Sequence, residues 1–131
     1  KMGVHGVYIS DSSANARVLR EKLGAEAIIG IAAASALSVG TLAALDIDYV
    51  TLPVDTDIDA ATTFVKAVRD GGVNTPIVAV GAFAAANIPA MVAAGINGFA
   101  LSFEDIKSTS NPVHAIDCIL STISAATAKN N

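Results

Sequence analysis

Short apolar segments alternate along the chain with longer segments in which apolar and polar positions follow a helical period. The apolar segments predict five strands, at residues 4–10, 27–31, 49–52, 76–80 and 98–101. Their residues are mostly apolar on both faces, which is typical of strands in a parallel sheet that is covered on both sides. The amphipathic segments predict helices at 14–23, 36–45, 60–69 and 87–95, and a last helix that begins at the cap and first-turn signature Asn111-Pro112.

The alternation of strand and helix indicates the class of fold. Parallel strands that are joined by helices need right-handed crossover connections. Because the strands read as covered on both faces, we predict an α/β fold with a doubly wound five-stranded parallel sheet in a three-layer sandwich. Residues 1–125 would form this domain, and residues 126–131 a tail or linker stub. Half of a larger (βα)8 barrel has the same alternation and stays open as an alternative, and no internal repeat is evident.

Composition excludes several classes of function. The 131 residues are 53% hydrophobic and 15% charged, which suits one folded domain rather than a disordered chain. A net charge of −4 and the lack of a Lys/Arg cluster argue against binding to nucleic acid or to an anionic membrane surface. No apolar run approaches the ~20 residues of a membrane span. The single cysteine, Cys118, is expected in the core of a cytoplasmic protein.

The strand at 49–52 is the centre of the predicted sheet, because it is β-branched, apolar and followed by the acidic turn 55–59. In an open parallel sheet, chemistry takes place at the carboxyl ends of the strands. The residue at that end is Pro53, which offers no nucleophile, no charge and no backbone N–H. The sequence therefore indicates that a reactive position has been lost.

Four stretches together resemble a response-regulator receiver domain of the CheY-like type. They are residues 10–19, 48–59, 64–80 and 94–99, and they occur in the order and at the spacing of that family. The resemblance implies the flavodoxin-like strand order 2-1-3-4-5.

The catalytic residues of that family do not carry over. An active receiver accepts a phosphoryl group on one of its own Asp residues. An acidic pair holds Mg²⁺ there, and a hydroxyl residue and a Lys contact the phosphoryl oxygens. The corresponding positions here are Ser10 and Asp11 for the acidic pair, Pro53 for the acceptor, Gly81 for the hydroxyl and Ser102 for the Lys. Only Asp11 matches, and one carboxylate is a poor magnesium site. The resemblance thus implies a pseudo-receiver that is not an enzyme and holds no metal or cofactor.

A pseudo-receiver would act through its surface. The resemblance makes Phe99 the aromatic that reports the switch, and it indicates an interaction face made of Phe83, Ile88, Met91, Phe99 and Phe103. The partner would be a kinase, an output domain or another receiver of a two-component system, with a homodimer and a small-molecule second messenger left open.

Two alternatives remain at this point. An atypical receiver could be phosphorylated on Asp55 or Asp57, although an Asp in this turn more often caps the next helix. The stretches Gly6-Val7-Tyr8, Ile28-Ile29-Gly30 and Val80-Gly81 also resemble the C-terminal part of phosphate-binding barrel enzymes such as thiamine phosphate synthase. That reading needs three more strands, and the sequence lacks the expected glycine-rich phosphate loop and the basic residues for a pyrophosphate.

Overall fold

Five parallel strands form one sheet in the computed structural model, which describes residues 3, 5–10, 16–33, 38–54, 57–102, 106–107 and 110–130. The strands are β1 (Gly6–Ile9), β2 (Ile28–Ala32), β3 (Tyr49–Pro53), β4 (Ile77–Val80) and β5 (Gly98–Ala100). The helices are α1 (Ala16–Leu23), α2 (Val39–Ala44), α3 (Ile58–Asp70), α4 (Ile88–Ala94) and α5 (Pro112–Asn130), and a 3₁₀ turn (Ala85–Asn87) precedes α4. The predicted alternation of strand and helix is confirmed.

Local signals in the sequence set the ends of several helices. The Asp57 carboxylate caps α3 by accepting a hydrogen bond from the Ala60 N–H at 2.8 Å. The Asn111 side chain caps α5 in the same way, accepting from the His114 N–H at 3.1 Å. Gly95 ends α4 in the left-handed conformation, with φ of 107°, which a residue with a Cβ adopts only at a cost.

Two helices differ in length from the sequence prediction. Helix α2 begins at Val39, later than predicted, because the Ser38 hydroxyl caps it by accepting from the Thr41 N–H at 3.1 Å. Helix α5 continues to Asn130, across residues for which the sequence predicts a tail. Ala126 is buried at 8% exposure, so this part of the helix packs against the rest of the chain.

The strand order is β1-β2-β3-β4-β5, and every neighbouring pair is parallel. The predicted order 2-1-3-4-5 is therefore wrong. In a doubly wound sheet the chain reverses its direction across the sheet, and right-handed crossovers then place helices on both faces. Here each crossover moves one strand further in the same direction, so the same handedness places the helices on one face.

The packing agrees with this topology. One face of the sheet, which we call the outer face, packs against the helices in the hydrophobic core. Its core residues are Ile9, Ile31, Val50, Leu52, Ile77, Ala79 and Phe99. The helices contribute Ala16, Leu42, Val65, Met91 and Ile119, among others. The described part of the chain thus forms two layers, and the predicted three-layer sandwich is wrong.

The opposite face of the sheet, the inner face, is open. Tyr8 and Ile28 on this face are 50% and 54% exposed although both are large. Gly30 lies between Tyr8 and Tyr49 in the strand register, and a Cβ at Gly30 would come within 2.1 Å of the Tyr49 ring. Gly6 is equally close to its neighbour, since its Cβ would lie 2.4 Å from the Ile28 carbonyl oxygen. A side chain at either position would therefore force its neighbour to shift.

An arginine links the end of α1 to the start of two strands. The Arg20 guanidinium donates to the Asp48 carboxylate at 2.8 Å and also to the backbone carbonyl of Ala27. The same carboxylate oxygen accepts from the Ile29 N–H at 2.7 Å. This backbone hydrogen bond is the main reason that the pKa of Asp48 lies below its ordinary value; burial opposes it and Arg20 adds to it.

The same set of contacts recurs in the second half of the chain. Arg69, at the end of α3, donates to the Asn97 side chain at 2.6 Å, and Asn97 accepts from the Ile77 N–H at 2.9 Å. The arginine and its partner are 28 residues apart in both sets. Arg69 also binds the Gly95 carbonyl at 2.8 Å, and burial lowers the pKa of its guanidinium. The chain therefore contains a structural repeat that its sequence did not reveal.

Candidate functional site at the C-terminal edge of the sheet

The carboxyl ends of the five strands meet at one edge of the sheet, which we call the C-terminal edge. Ligands of parallel α/β proteins bind at this edge, because loops of variable sequence surround the ends of strands held rigidly by the sheet. The residues that follow the five strands are Ser10, Ala33, Val54, Gly81 and Leu101. Hydrogen bonds between neighbouring strands continue up to this edge, as from the Val54 N–H to the Val80 carbonyl at 3.0 Å.

Four of the five residues at the receiver's catalytic positions lie within the described ranges, and all four lie along this edge. Pro53 is the exposed last residue of β3, and Ser10 and Ser102 are exposed after β1 and β5. Gly81 follows β4 with φ of 135°, and its N–H donates to the Ala100 carbonyl at 3.3 Å. Asp11 lies outside the described residues. The described members of the set supply two hydroxyl groups and no charge.

The acidic turn before α3 provides the N-cap of that helix. The Asp57 carboxylate is held by the Ala60 N–H as the N-cap, which is the role the sequence favoured for an Asp in this turn. Asp55 lies outside the described residues.

The predicted interaction face is mostly interior. Ile88 and Met91 are fully buried, and Phe83 is 9% exposed. The Phe83 and Phe99 rings contact each other at a centroid distance of 5.3 Å and a tilt of 56°. Phe103 lies outside the described residues. The residues of this face that the structure describes therefore pack in or against the core.

Two hydroxyl groups on the inner face form a contact that the sequence did not suggest. The Tyr8 hydroxyl lies 2.6 Å from the Thr51 hydroxyl, and the Tyr8 ring stacks against Tyr49 with centroids 6.4 Å apart. The Thr51 hydroxyl in turn lies 3.5 Å from the Ile31 carbonyl oxygen, to which it donates. Either hydroxyl can be the donor in the contact between Tyr8 and Thr51. This arrangement places two hydroxyl groups below the C-terminal edge.

The described part of the edge carries little charge. Among the described residues that follow the strands, Lys107 is the one cation. Within the same described ranges, no three His, Cys, Asp or Glu side chains are grouped so that they could hold a metal ion. Cys118, expected in the core, is exposed on α5. None of the helices in the described ranges is long and apolar enough to cross a bilayer.

The sheet has a consecutive parallel strand order and carries its helices on one face. These features define the class of singly wound βα proteins. Comparison with known proteins identifies the family. The model of the thiamine monophosphate synthase family (TMP-TENI) matches residues 1–104, and the chain belongs to this family.

Relatives in two bacteria agree with this assignment. The chain is 32% identical to a thiamine-phosphate synthase of Vibrio parahaemolyticus in an alignment 123 positions long, which covers 88% of the chain and 60% of the relative. It is 28% identical to a thiamine-phosphate synthase of Geobacillus kaustophilus in an alignment 129 positions long, which covers 92% of the chain and 58% of the relative. The chain thus spans about three fifths of the length of these relatives.

The fold is shared with a solved structure. Thiamine phosphate pyrophosphorylase from Pyrococcus furiosus superposes with a TM-score of 0.69 at 17% sequence identity, over 93% of this chain and 60% of that one. At this identity the match establishes the fold alone.

These findings overturn the receiver interpretation. The chain is not a receiver domain or pseudo-receiver, and the two-component function drawn from that resemblance is wrong. The expectation of a non-enzyme is also wrong for a family of enzymes, and a kinase, output-domain or receiver partner is not supported. The error has a physical cause, because both folds repeat the same strand and helix units and differ in the direction of the crossovers.

Proposed function

We propose that this chain contributes five βα units to a (βα)8 barrel, and that the complete protein is a small-molecule enzyme of thiamine phosphate synthesis. The strand order carries the proposal. A sheet in which each new strand is added on the same side, with helices on one face, curls toward closure, and a closed barrel of this class needs eight strands. Three further strands would join the free edges of β1 and β5.

The inner face supports closure. In such a barrel the inward side chains of alternate strands fill the interior in layers. The inward positions here include three glycines, at 6, 30 and 98. They also include Tyr8 and Tyr49, which lie on either side of Gly30 in the strand register. Small and large side chains of this kind complement each other when strands from the far side face them. The exposure of Ile28 would then disappear in the complete barrel.

The ligand would bind at the C-terminal edge, where barrels of this class hold their active sites. The Tyr8 and Thr51 hydroxyls lie below this edge and can hydrogen-bond a ligand. The relatives named above are thiamine-phosphate synthases, and we extend that activity to this protein as a hypothesis. A cytoplasmic location also stays a prediction.

A growth experiment tests the proposal. The complete protein is expressed in a bacterium that lacks its own thiamine-phosphate synthase, and growth is followed without added thiamine. We expect growth with the natural sequence and no growth with Ala100→Trp, because the exposed inner-face residue at the end of β5 would place an indole in the mouth of the barrel. Ala67→Trp, on the exposed side of α3, is the matched control and should support growth.

Binding is measured beside growth. Titration of the purified complete protein with thiamine phosphate should give heat with the natural sequence and with Ala67→Trp, and none with Ala100→Trp. Circular dichroism shows whether each variant is folded. A folded, expressed natural protein that neither restores growth nor binds thiamine phosphate would overturn the proposal.

A further inference from the structure

Residues of three neighbouring strands hold the Tyr8 side chain in place on the inner face. The Tyr49 ring lies over Gly30, where a Cβ would come within 2.1 Å of the ring. The Tyr8 ring stacks against Tyr49 with an angle of 15° between the two planes. Its hydroxyl lies 2.6 Å from the Thr51 hydroxyl. The ring and the hydroxyl of Tyr8 are therefore both held, although half of the side chain is exposed.

The inner face leaves this hydroxyl open toward the C-terminal edge. Ser10, Ala32 and Ala100 are the inner-face positions at the ends of β1, β2 and β5, since the residue before each of them packs in or against the core. All three have short side chains. Ala32 is also the register partner of Thr51, so the space beside the hydroxyl pair is not filled from β2. A ligand at the edge can therefore reach the pair.

The two hydroxyls can offer a ligand either a lone pair or a hydrogen. When Thr51 donates to the Ile31 carbonyl, Tyr8 donates to Thr51 and keeps a lone pair for the ligand. When Thr51 donates to Tyr8, the Tyr8 hydrogen is available to the ligand instead. The exchange needs only rotations of two O–H bonds. It costs little, because the contact from Thr51 to the Ile31 carbonyl is 3.5 Å long and therefore weak.

We propose that the Tyr8 hydroxyl binds a neutral polar group of the ligand, and that Thr51 is the positioning residue that holds this hydroxyl. The group is a hydrogen-bond donor or an acceptor, because the pair serves both. An ionised group would need an opposite charge that neither hydroxyl supplies. Since the Tyr8 side chain is already ordered, binding costs little further conformational entropy. The inference rests on the proposed function only in that the ligand enters at the C-terminal edge.

Three small rings separate donors from acceptors. Pyrrole only donates, pyridine at about pH 8 only accepts, and benzene does neither. Each is titrated into the complete, ¹⁵N-labelled protein while the amide resonances of residues 8, 32 and 51 are followed by NMR. We expect pyrrole and pyridine to shift these resonances in a saturable way. Their Kd values should be at least about threefold lower than that of benzene, as a neutral hydrogen bond provides.

Substitutions at the pair assign the two roles. Tyr8→Phe keeps the ring and removes the hydroxyl, so the three Kd values should become equal within about twofold. Thr51→Val should reduce the preference for pyrrole and pyridine over benzene by at least about half, and Thr51→Ser should keep it. A purely structural defect would change the three Kd values together. Thr63→Val, on the exposed side of α3, is the matched control and should leave the preference unchanged.

The inference fails if pyrrole or pyridine binds no better than benzene, or if their shifts map away from residues 8 and 51. It also fails if the preference survives in folded Tyr8→Phe. Circular dichroism shows whether that variant folds, and if it does not, the result for Thr51→Val decides. The preference in a protein without thiamine phosphate activity would sustain the site while the proposed function fails. Activity without the preference would have the opposite meaning.

Discussion

Gly30 occupies a position where the Tyr49 ring leaves no room for a side chain. A Cβ there would lie 2.1 Å from the ring, so the ring or the strand has to move. We expect Gly30→Ala to lower the free energy of unfolding by about 1–3 kcal/mol, as overpacking does. Urea unfolding followed by circular dichroism measures this. Gly98→Ala is the matched control on the same face, because its Cβ would meet Val78 at an ordinary 3.6 Å.

The pair also identifies the cause. If the Tyr49 ring is responsible, Tyr49→Ala should remove most of the extra cost of Gly30→Ala in a double-mutant cycle. Equal losses for the alanine substitutions at 30 and 98 would show that the ring contact does not matter.

Asp48 makes stability depend on pH. Its pKa is lower in the folded chain than its ordinary value, first because of the Ile29 N–H and then because of Arg20. Such a carboxyl stabilises the fold above its unfolded pKa of about 3.9, and this contribution is lost as the pH falls through the folded pKa. We expect Asp48→Asn to cost less than about 1 kcal/mol at neutral pH, because the pair with Arg20 is partly exposed.

The pH profile of unfolding separates charge from shape. The cost of Asp48→Asn should shrink as the pH falls below about 3.9, since the natural side chain becomes neutral as well. Asn97→Asp is the reciprocal control, because Asn97 has the same two kinds of partner, an arginine and a strand N–H. Its effect should become more stabilising as the pH rises. A cost for Asp48→Asn that does not change with pH would contradict this account.

At the scale of elements, Arg69 joins α3 to the start of β4 and the end of α4. Its guanidinium donates to the carbonyls of Val73, Thr75 and Gly95 and to the Asn97 side chain. Removing it would leave several partly buried acceptors without a donor. We expect Arg69→Ala to lower the free energy of unfolding by about 2–4 kcal/mol, measured by thermal and urea unfolding.

The control is an arginine with different surroundings. Arg17 is 87% exposed and pairs with Glu21 at 3.5 Å, so Arg17→Ala should cost less than about 0.5 kcal/mol. Arg69→Lys should recover little, because an ammonium group cannot reproduce the planar fork. Similar losses for the alanine variants of Arg17 and Arg69 would contradict the role of Arg69 as a link between elements.

The elements themselves could be predicted from sequence because their signals are local. The Asp57 and Asn111 caps lie at most three residues from the N–H groups that they bind. The contact between Tyr8 and Thr51 could not be predicted, since its partners are 43 residues apart and meet only in the register of β1, β2 and β3. The repeat of arginine contacts was missed for the same reason.

At the scale of the whole molecule, the order of the strands could not be predicted from the sequence. The chain from β1 to β5 presents the same alternation whether each crossover continues in one direction or reverses. What could be predicted was the edge at which these strands end, because Pro53 is the last residue of β3 and Gly81 follows β4. The open inner face could not be predicted. The apolar residues of this face, such as Ile28, suggested that helices cover it, whereas under the proposed function they line the interior of a barrel.

The inner face leads to a substitution with opposite effects in two settings. Ile28 is 54% exposed in this chain, and the unpaired edges of β1 and β5 also favour association between copies. We expect the isolated 131-residue chain to self-associate in sedimentation experiments, and Ile28→Glu to reduce this association by adding charge. In the complete protein the same substitution should lower the free energy of unfolding by several kcal/mol, because the carboxylate would be buried in the barrel. Thr63→Glu, on the exposed side of α3, should do neither. If Ile28→Glu is neutral in the complete protein, the inner face stays open to solvent and the sheet does not close into a barrel.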